Sequence, residues 1–203
     1  MPSVSCQRIV VSVLVGGGAL LGWSSVGLSG ARSRAAAAAA KPPKTVTALR
    51  ISPRAGTLRT GTRVSSASLF GQRVFTDAKH GFALASPADA DYAVATTDGG
   101  KTWRTDGPVL HLHAAQAPLA VLFIGAASSK TVFAWGGGQV IDSTSDGGKN
   151  WYSALFPDAG PVAVVDRAGH LLAFVGSPDG AAVSRYISRD GGRSWHYEKT
   201  VVQ

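Results

Sequence analysis

The chain of 203 residues contains one cysteine, and its acids and bases are unevenly spread. A single thiol, Cys6, excludes an intrachain disulfide, so any fold must be held by burial and hydrogen bonding. Acids are missing altogether from residues 1–76, which carry ten of the 20 Lys and Arg. Residues 77–203 carry the other ten bases against all 12 acids, a net of −2. The high overall charge therefore belongs to the N-terminal third, and the remainder lacks the clustered positive field that a nucleic-acid-binding domain needs. Glutamate occurs once, at Glu198, which thins the field for any mechanism built on paired glutamates. No segment after residue 40 sustains a helical hydrophobic period over 12 to 15 residues, which excludes helix bundles and parallel α/β folds.

What is present begins with an apolar run over residues 9–21, preceded by Arg8 and followed by Ser-rich sequence and six alanines at 35–40. This order of a base, an apolar core and small residues predicts a secretory signal peptide over 1–40, and hence a secreted or extracytoplasmic protein. Extended to Leu28, the run is long enough for the alternative of an uncleaved membrane anchor. Residues 41–63 form a basic, Pro/Gly-punctuated linker and a first strand. Its cations, with Arg73 beyond, are suited to contact an anionic cell envelope through segment 41–76.

An internal repeat organises residues 64–203. Three segments share one pattern: Thr96-Thr-Asp98-Gly-Gly100-Lys-Thr-Trp103, Thr144-Ser-Asp146-Gly-Gly148-Lys-Asn-Trp151 and Ser188-Arg-Asp190-Gly-Gly192-Arg-Ser-Trp195. Their aspartates stand 48 and 44 residues apart, close to the period of a four-stranded propeller blade. Asp-Gly between strand-like runs is a hairpin signal, because glycine accepts positive φ and the carboxylate bonds backbone amides in the turn. The tryptophan opening the next strand supplies a large apolar surface. Each segment thus reads as a structural staple. The flanking sequence supplies four short strands per unit, with blades at about 64–110, 116–157 and 160–203.

These segments resemble the Asp-box, or bacterial neuraminidase, repeat. The family includes sialidases and non-enzymatic propellers such as photosystem II assembly factor-like proteins, whose Gly-Phe pattern His80-Gly81-Phe82 is similar to. The resemblance implies an all-β, propeller-like array of three to four four-stranded antiparallel blades, with each box joining strands three and four at the periphery. Residues 45–63 offer strands for a partial fourth blade. A small closed ring, an open arc and a ring completed by a second chain all fit this count, so a homo-oligomer is among the expectations.

Candidate chemistry is sparse. A sialidase uses an arginine cluster, a Tyr nucleophile paired with Glu, and an Asp; here Tyr197 and Glu198 are strand neighbours and point to opposite faces. Arg50-Ile51-Ser52-Pro53 is only faintly similar to the family's Arg-Ile-Pro motif. Asp77, Asp89, Asp91, Asp106, Asp142, Asp158, Asp166 and Asp179 remain for a two-aspartate hydrolase, and most stand in turn-like contexts. His111 and His113 have a strand spacing that could reach one metal ion, but the pair is read as exposed loop histidines. Gly136-Gly137-Gly138 reads as a hairpin turn. No cofactor or metal is expected. The function read from the sequence is an exported, non-enzymatic binding or assembly protein with a protein or glycan partner, and the alternative is a glycoside hydrolase.

Overall fold

The computed structural model describes residues 41–112, 120–156 and 160–202. Residues 1–40, read above as a signal peptide and containing Cys6, lie outside them, together with His113 and Asp158. The described chain is all-β. It opens with three short strands, β1 (Thr45–Thr47), β2 (Leu49–Arg50) and β3 (Arg63–Val64). Blade 1 follows as β4 (Leu69–Phe75), β5 (Gly81–Ala85), β6 (Ala90–Thr96) and β7 (Trp103–Thr105), with β8 (His111–Leu112) extending its outer side against β6. Blade 2 is β9 (Phe123–Ala126), β10 (Val132–Trp135), β11 (Val140–Thr144) and β12 (Tyr152–Leu155). Blade 3 is β13 (Pro161–Arg167), β14 (His170–Gly176), β15 (Ala182–Ser188) and β16 (Ser194–Val202). Each blade is an antiparallel meander in chain order, as short strands joined by tight turns dictate.

The N-terminal segment does not build a fourth blade. β1 pairs with β16, β2 with β12 and β3 with β7, so residues 45–64 run as a strap over the outer edges of blades 3, 2 and 1 in turn. Each outer edge thereby gains a fifth strand. The strap's own free edge carries Lys44, Arg50 and Arg63, all exposed, and charged residues on an edge discourage further strand pairing. The basic linker of the sequence reading is therefore part of the sheet array, because its backbone groups satisfy edges that would otherwise lie open.

The core lies between sheets. Phe82, Leu84 and Ala93 of blade 1 pack against Ile124, Ala134, Val140 and Trp151 of blade 2. Phe133, Trp135 and Ile141 of blade 2 pack in turn against Leu171, Ala173, Tyr186 and Trp195 of blade 3, with Val46 of the strap joining them. Alternation along each strand sends one set of residues to each neighbour, as face-to-face sheets require. The free face of blade 1 is closed by the chain itself. Leu58 and Val64 of the strap region, with Val109 and Leu112, cover Ala83, Tyr92, Val94 and Trp103, and the Leu58 amide donates to the Tyr92 hydroxyl at 3.0 Å.

Candidate binding site

The three repeated segments adopt one geometry at the β6–β7, β11–β12 and β15–β16 turns. In the first, the Thr96 hydroxyl donates to Asp98 Oδ1 (2.8 Å), and that oxygen also accepts the Thr102 amide (2.9 Å). The Thr102 hydroxyl donates to Oδ2 (2.7 Å), while Thr96 Oγ1 accepts the Gly100 amide (2.9 Å). Asp146 takes equivalent bonds from Thr144 Oγ1 (3.0 Å), the Asn150 amide (2.9 Å) and Asn150 Nδ2 (2.7 Å). Asp190 takes them from Ser188 Oγ (2.8 Å), the Ser194 amide (3.0 Å) and Ser194 Oγ (2.5 Å). Both glycines of each pair stand at positive φ, from +72° to +96°, which is why the turn admits glycine there. Backbone and side-chain bonds from Thr102 hold the Asp98 carboxyl down at about 2. Burial works to raise Asp146 and Asp190, and the bonds they accept outweigh it and lower both. These carboxylates have their acceptor positions filled by the turn.

The tryptophans differ in what they reach. The Trp103 and Trp195 indoles donate to the carbonyls of Gly100 (3.1 Å) and Gly192 (3.0 Å) within their own turns. Trp151 instead donates across the seam to the Asp106 carbonyl of blade 1. The turns also touch the preceding blade: a Cβ on Gly148 would collide with the Asp106 carboxylate, and one on Gly192 with Ser143.

A concavity lies beside that seam. Residues 49–54 of the strap, Val109 and Leu110 from the end of blade 1, and Ser153 of β12 enclose about 310 Å³. Its charged lining is cationic, from Arg50 and Arg54, both exposed. Leu49, Ile51, Pro53, Val109 and Leu110 make the rest largely apolar. Leu49 stands opposite Ser153 in the strand register, and Ser153 opposite Asp142, so all three share one face of blade 2.

Asp142, opposite Ser153 on the adjacent strand, is 1 % exposed. Burial pushes its carboxyl up to about 7, against a weaker opposing effect of the neighbouring Ser153 hydroxyl, and neither carboxyl oxygen has a hydrogen bond of good geometry. Asp106, at the end of blade 1, is raised to about 6, first by burial and then by the charge of Asp146. Counting back from the repeated hydroxyl residue, Asp142 occupies the position of Val94 in blade 1 and Tyr186 in blade 3.

Other sequence candidates scatter. Asp77 and Asp179 do sit in turns, Asp77 capping the amides of Lys79 (2.7 Å) and His80 (2.9 Å) and Asp179 that of Ala181 (3.0 Å). Asp91 and Asp142 are strand residues in the interior, contrary to the turn-like reading. His111 is also not an exposed loop histidine. It is 4 % exposed, pairs in register with Asp91, and holds its Nδ1 3.0 Å from the Asp91 carboxylate. The residues that sequence reasoning missed are Leu49, Val109, Leu110 and Ser153, which meet only because the strap crosses the blade seam. Tyr197 packs on Tyr186 while Glu198 pairs with Arg185 at 2.6 Å, so the two do point apart. Among the described residues, no three His, Cys, Asp or Glu side chains gather as a metal site.

No protein-family model and no curated relative matches the chain. Two solved structures are similar at 21% identity: YCF48 bound to D1 peptide, with a TM-score of 0.42 over 78% of this chain and 46% of that one, and YCF48 from Cyanidioschyzon merolae, with 0.43 over 68% and 40%. The chain spans less than half the length of either.

Proposed function

We propose that the protein is an exported, non-enzymatic binding or assembly module that receives an extended acidic segment of a partner protein in the cleft between blades 1 and 2. The observation that carries this reading is the lining itself: two exposed guanidinium groups, Arg50 and Arg54, over an apolar floor of Leu49, Ile51, Val109 and Leu110. Arginine presents several donors in a plane suited to carboxylates, and apolar contact adds affinity where charge alone gives orientation. Among the described residues the lining offers no aromatic ring on which a sugar could stack, which favours a peptide over a glycan. In the same reading the three Asp-Gly-Gly turns are staples, with each carboxylate committed to its own turn. The strap's exposed bases also remain available to an anionic envelope surface.

A second reading, a glycoside hydrolase, draws on Asp106 and Asp142, since raised carboxyls are what general acids require. Asp142 is 1 % exposed, and neither it nor Asp106 lines the cleft, so neither is presented to a sugar.

A phage-displayed library of extended heptapeptides, panned on the wild-type protein and on R50E/R54E, tests the proposal. Enrichment of acidic peptides on the wild type and its loss on the variant supports it. No enrichment, or enrichment indifferent to the two arginines, overturns it. Turnover of a fluorogenic sialoside would move the reading to the hydrolase. N-terminal sequencing of protein recovered from the culture medium checks export.

A further inference from the structure

Residues 54–62 of the strap hold a tandem motif, Arg54-Ala-Gly56-Thr57 and Arg59-Thr-Gly61-Thr62, with Leu58 between the copies. Both copies close into the same turn. The Thr57 amide and hydroxyl donate to the Arg54 carbonyl, at 3.3 and 2.7 Å, and those of Thr62 to the Arg59 carbonyl, at 3.1 and 2.6 Å. Gly56 and Gly61 stand at φ +78° and +84° in the third turn position, where positive φ favours glycine. Leu58 packs on blade 1 and its amide donates to the Tyr92 hydroxyl, which fixes the pair of turns at its centre. The Thr105 hydroxyl of β7 also donates to the Arg59 carbonyl, at 2.6 Å. These bonds use the main chain of each arginine, and both arginines are exposed. The turns wall a second hollow of about 580 Å³, closed on its far side by Pro108. It shares Pro53 and Arg54 with the cleft, and Pro108 leads directly into the cleft's Val109 and Leu110. Strap and blade 1 therefore run side by side past both hollows. Arg50, Arg54 and Arg59 stand along this path; neither lining holds an acid, and none of the three has an ion-pair partner among the described residues.

We propose that the two hollows are one groove, and that the acidic partner segment continues through it to set a second acidic residue against Arg59. Charge selects the occupant: a row of cations with no counter-charge of its own is complementary to a chain carrying spaced carboxylates. The tandem motif sets the spacing. Its arginines are five residues apart, so their Cα atoms are separated by no more than about 18 Å, which an extended partner covers in about five residues. The second acid of the partner therefore lies within about five residues of the one at Arg54. Pinning of each arginine's carbonyl holds the two cations in place before the partner arrives, which lowers the ordering cost of binding. This deepens the reading of the cleft and rests on it, since a partner that does not engage Arg50 has nothing to continue past Arg54.

A phage-displayed library of random dodecapeptides, panned on the wild type, R50E and R59E, tests the proposal, and fluorescence anisotropy of the peptides selected on the wild type gives their affinities. The turn is bonded through the main chain at residue 59, so R59E keeps it, which a thermal melt confirms; R59Q carries the same test without reversing the charge. Expected are peptides with two acidic positions, weakened by R50E, and at least about fivefold by R59E, with R59Q acting in the same direction. Replacing the second acid of such a peptide by alanine should leave R59E without further effect, as a direct pairing requires. Peptides lost on R50E but bound equally by R59E overturn the groove and leave the cleft reading standing. Peptides sensitive to R59E but indifferent to R50E also overturn it, by showing two separate sites. No acidic enrichment on the wild type overturns both readings together.

Discussion

The indole N–H of Trp151, in blade 2, donates to the main-chain carbonyl of Asp106, in blade 1. The tryptophans of the other two turns, Trp103 and Trp195, bond within their own turns, so this ring is both a strand anchor and the fastening between two sheets. Gly107 follows Asp106 at a φ of 125°, and a Cβ there would strike the Trp151 ring.

Trp151→Ala is expected to lower unfolding stability by about 3 to 5 kcal/mol in a urea titration. Trp151→Phe keeps most of the apolar contact and loses the seam bond, and should cost about 1 kcal/mol. If the phenylalanine variant matches the wild type, the cross-seam bond contributes nothing to stability.

Two glycine substitutions separate backbone strain from crowding. Gly169, at φ +79°, has open space where a Cβ would go, so Gly169→Ala carries only the conformational cost, about 1 kcal/mol. Gly148, at φ +78°, would drive the same methyl into the Asp106 carboxylate. Its alanine variant should melt well below that of Gly169, and equal melting temperatures would contradict the close approach of the turn to blade 1.

The raised carboxyl of Asp142 sets a pH dependence with a definite sign. Its folded value, about 7, stands above the ordinary aspartate value of 3.8, so the folded form is fully favoured below the lower value. Stability is lost as pH rises between the two, because the unfolded chain ionises first, and the loss is complete above the higher one. Asp142→Asn should therefore stabilise by on the order of 3 kcal/mol at pH 8 and change little at pH 4. The lowered carboxyls Asp98 and Asp77 act the other way, their contribution fading as pH falls from 3.8 through about 2. Denaturant titrations of wild type and variant at both pH values check the sign.

Removing the strap should expose the outer edges of β7, β12 and β16. A protein beginning at residue 65 is expected to aggregate, as unpaired edges template further strands. Static light scattering against the intact chain reads the effect, and a soluble monomer of native spectrum would show that the edges are protected by other means.

The repeated turns and four strands per blade were legible in the sequence because their determinants are local: a hydroxyl, an aspartate and two glycines fix the hairpin, and Trp fixes the strand that leaves it. The strap was not. β1, β2 and β3 are three, two and two residues long, too short for any period to show. Their partners are distant, as Thr45 against His196 illustrates. Asp142 was visible only as one aspartate among eight candidates, since nothing local distinguishes an acid at a position filled by Val94 and Tyr186 in the sister blades. His111 was misread for the same reason: its burial comes from pairing with Asp91, on a strand made twenty residues earlier. The cleft inherits this opacity, for its two cations and half of its floor come from the strap, and the rest of the floor from the end of blade 1.

The strap also imposes an order in time. A ribosome delivers blades 1, 2 and 3 in sequence, and each can collapse on its predecessor as it emerges. The strap meets them in reverse, and its first strand is completed only by β16, the fourth strand of blade 3. Val46 therefore has no seat beside Trp195 until β16 has been made. Such long-range closure slows folding, and it makes docking of the strap a check that blade 3 has arrived, since a chain cut short in blade 3 is left with its leading strand unpaired.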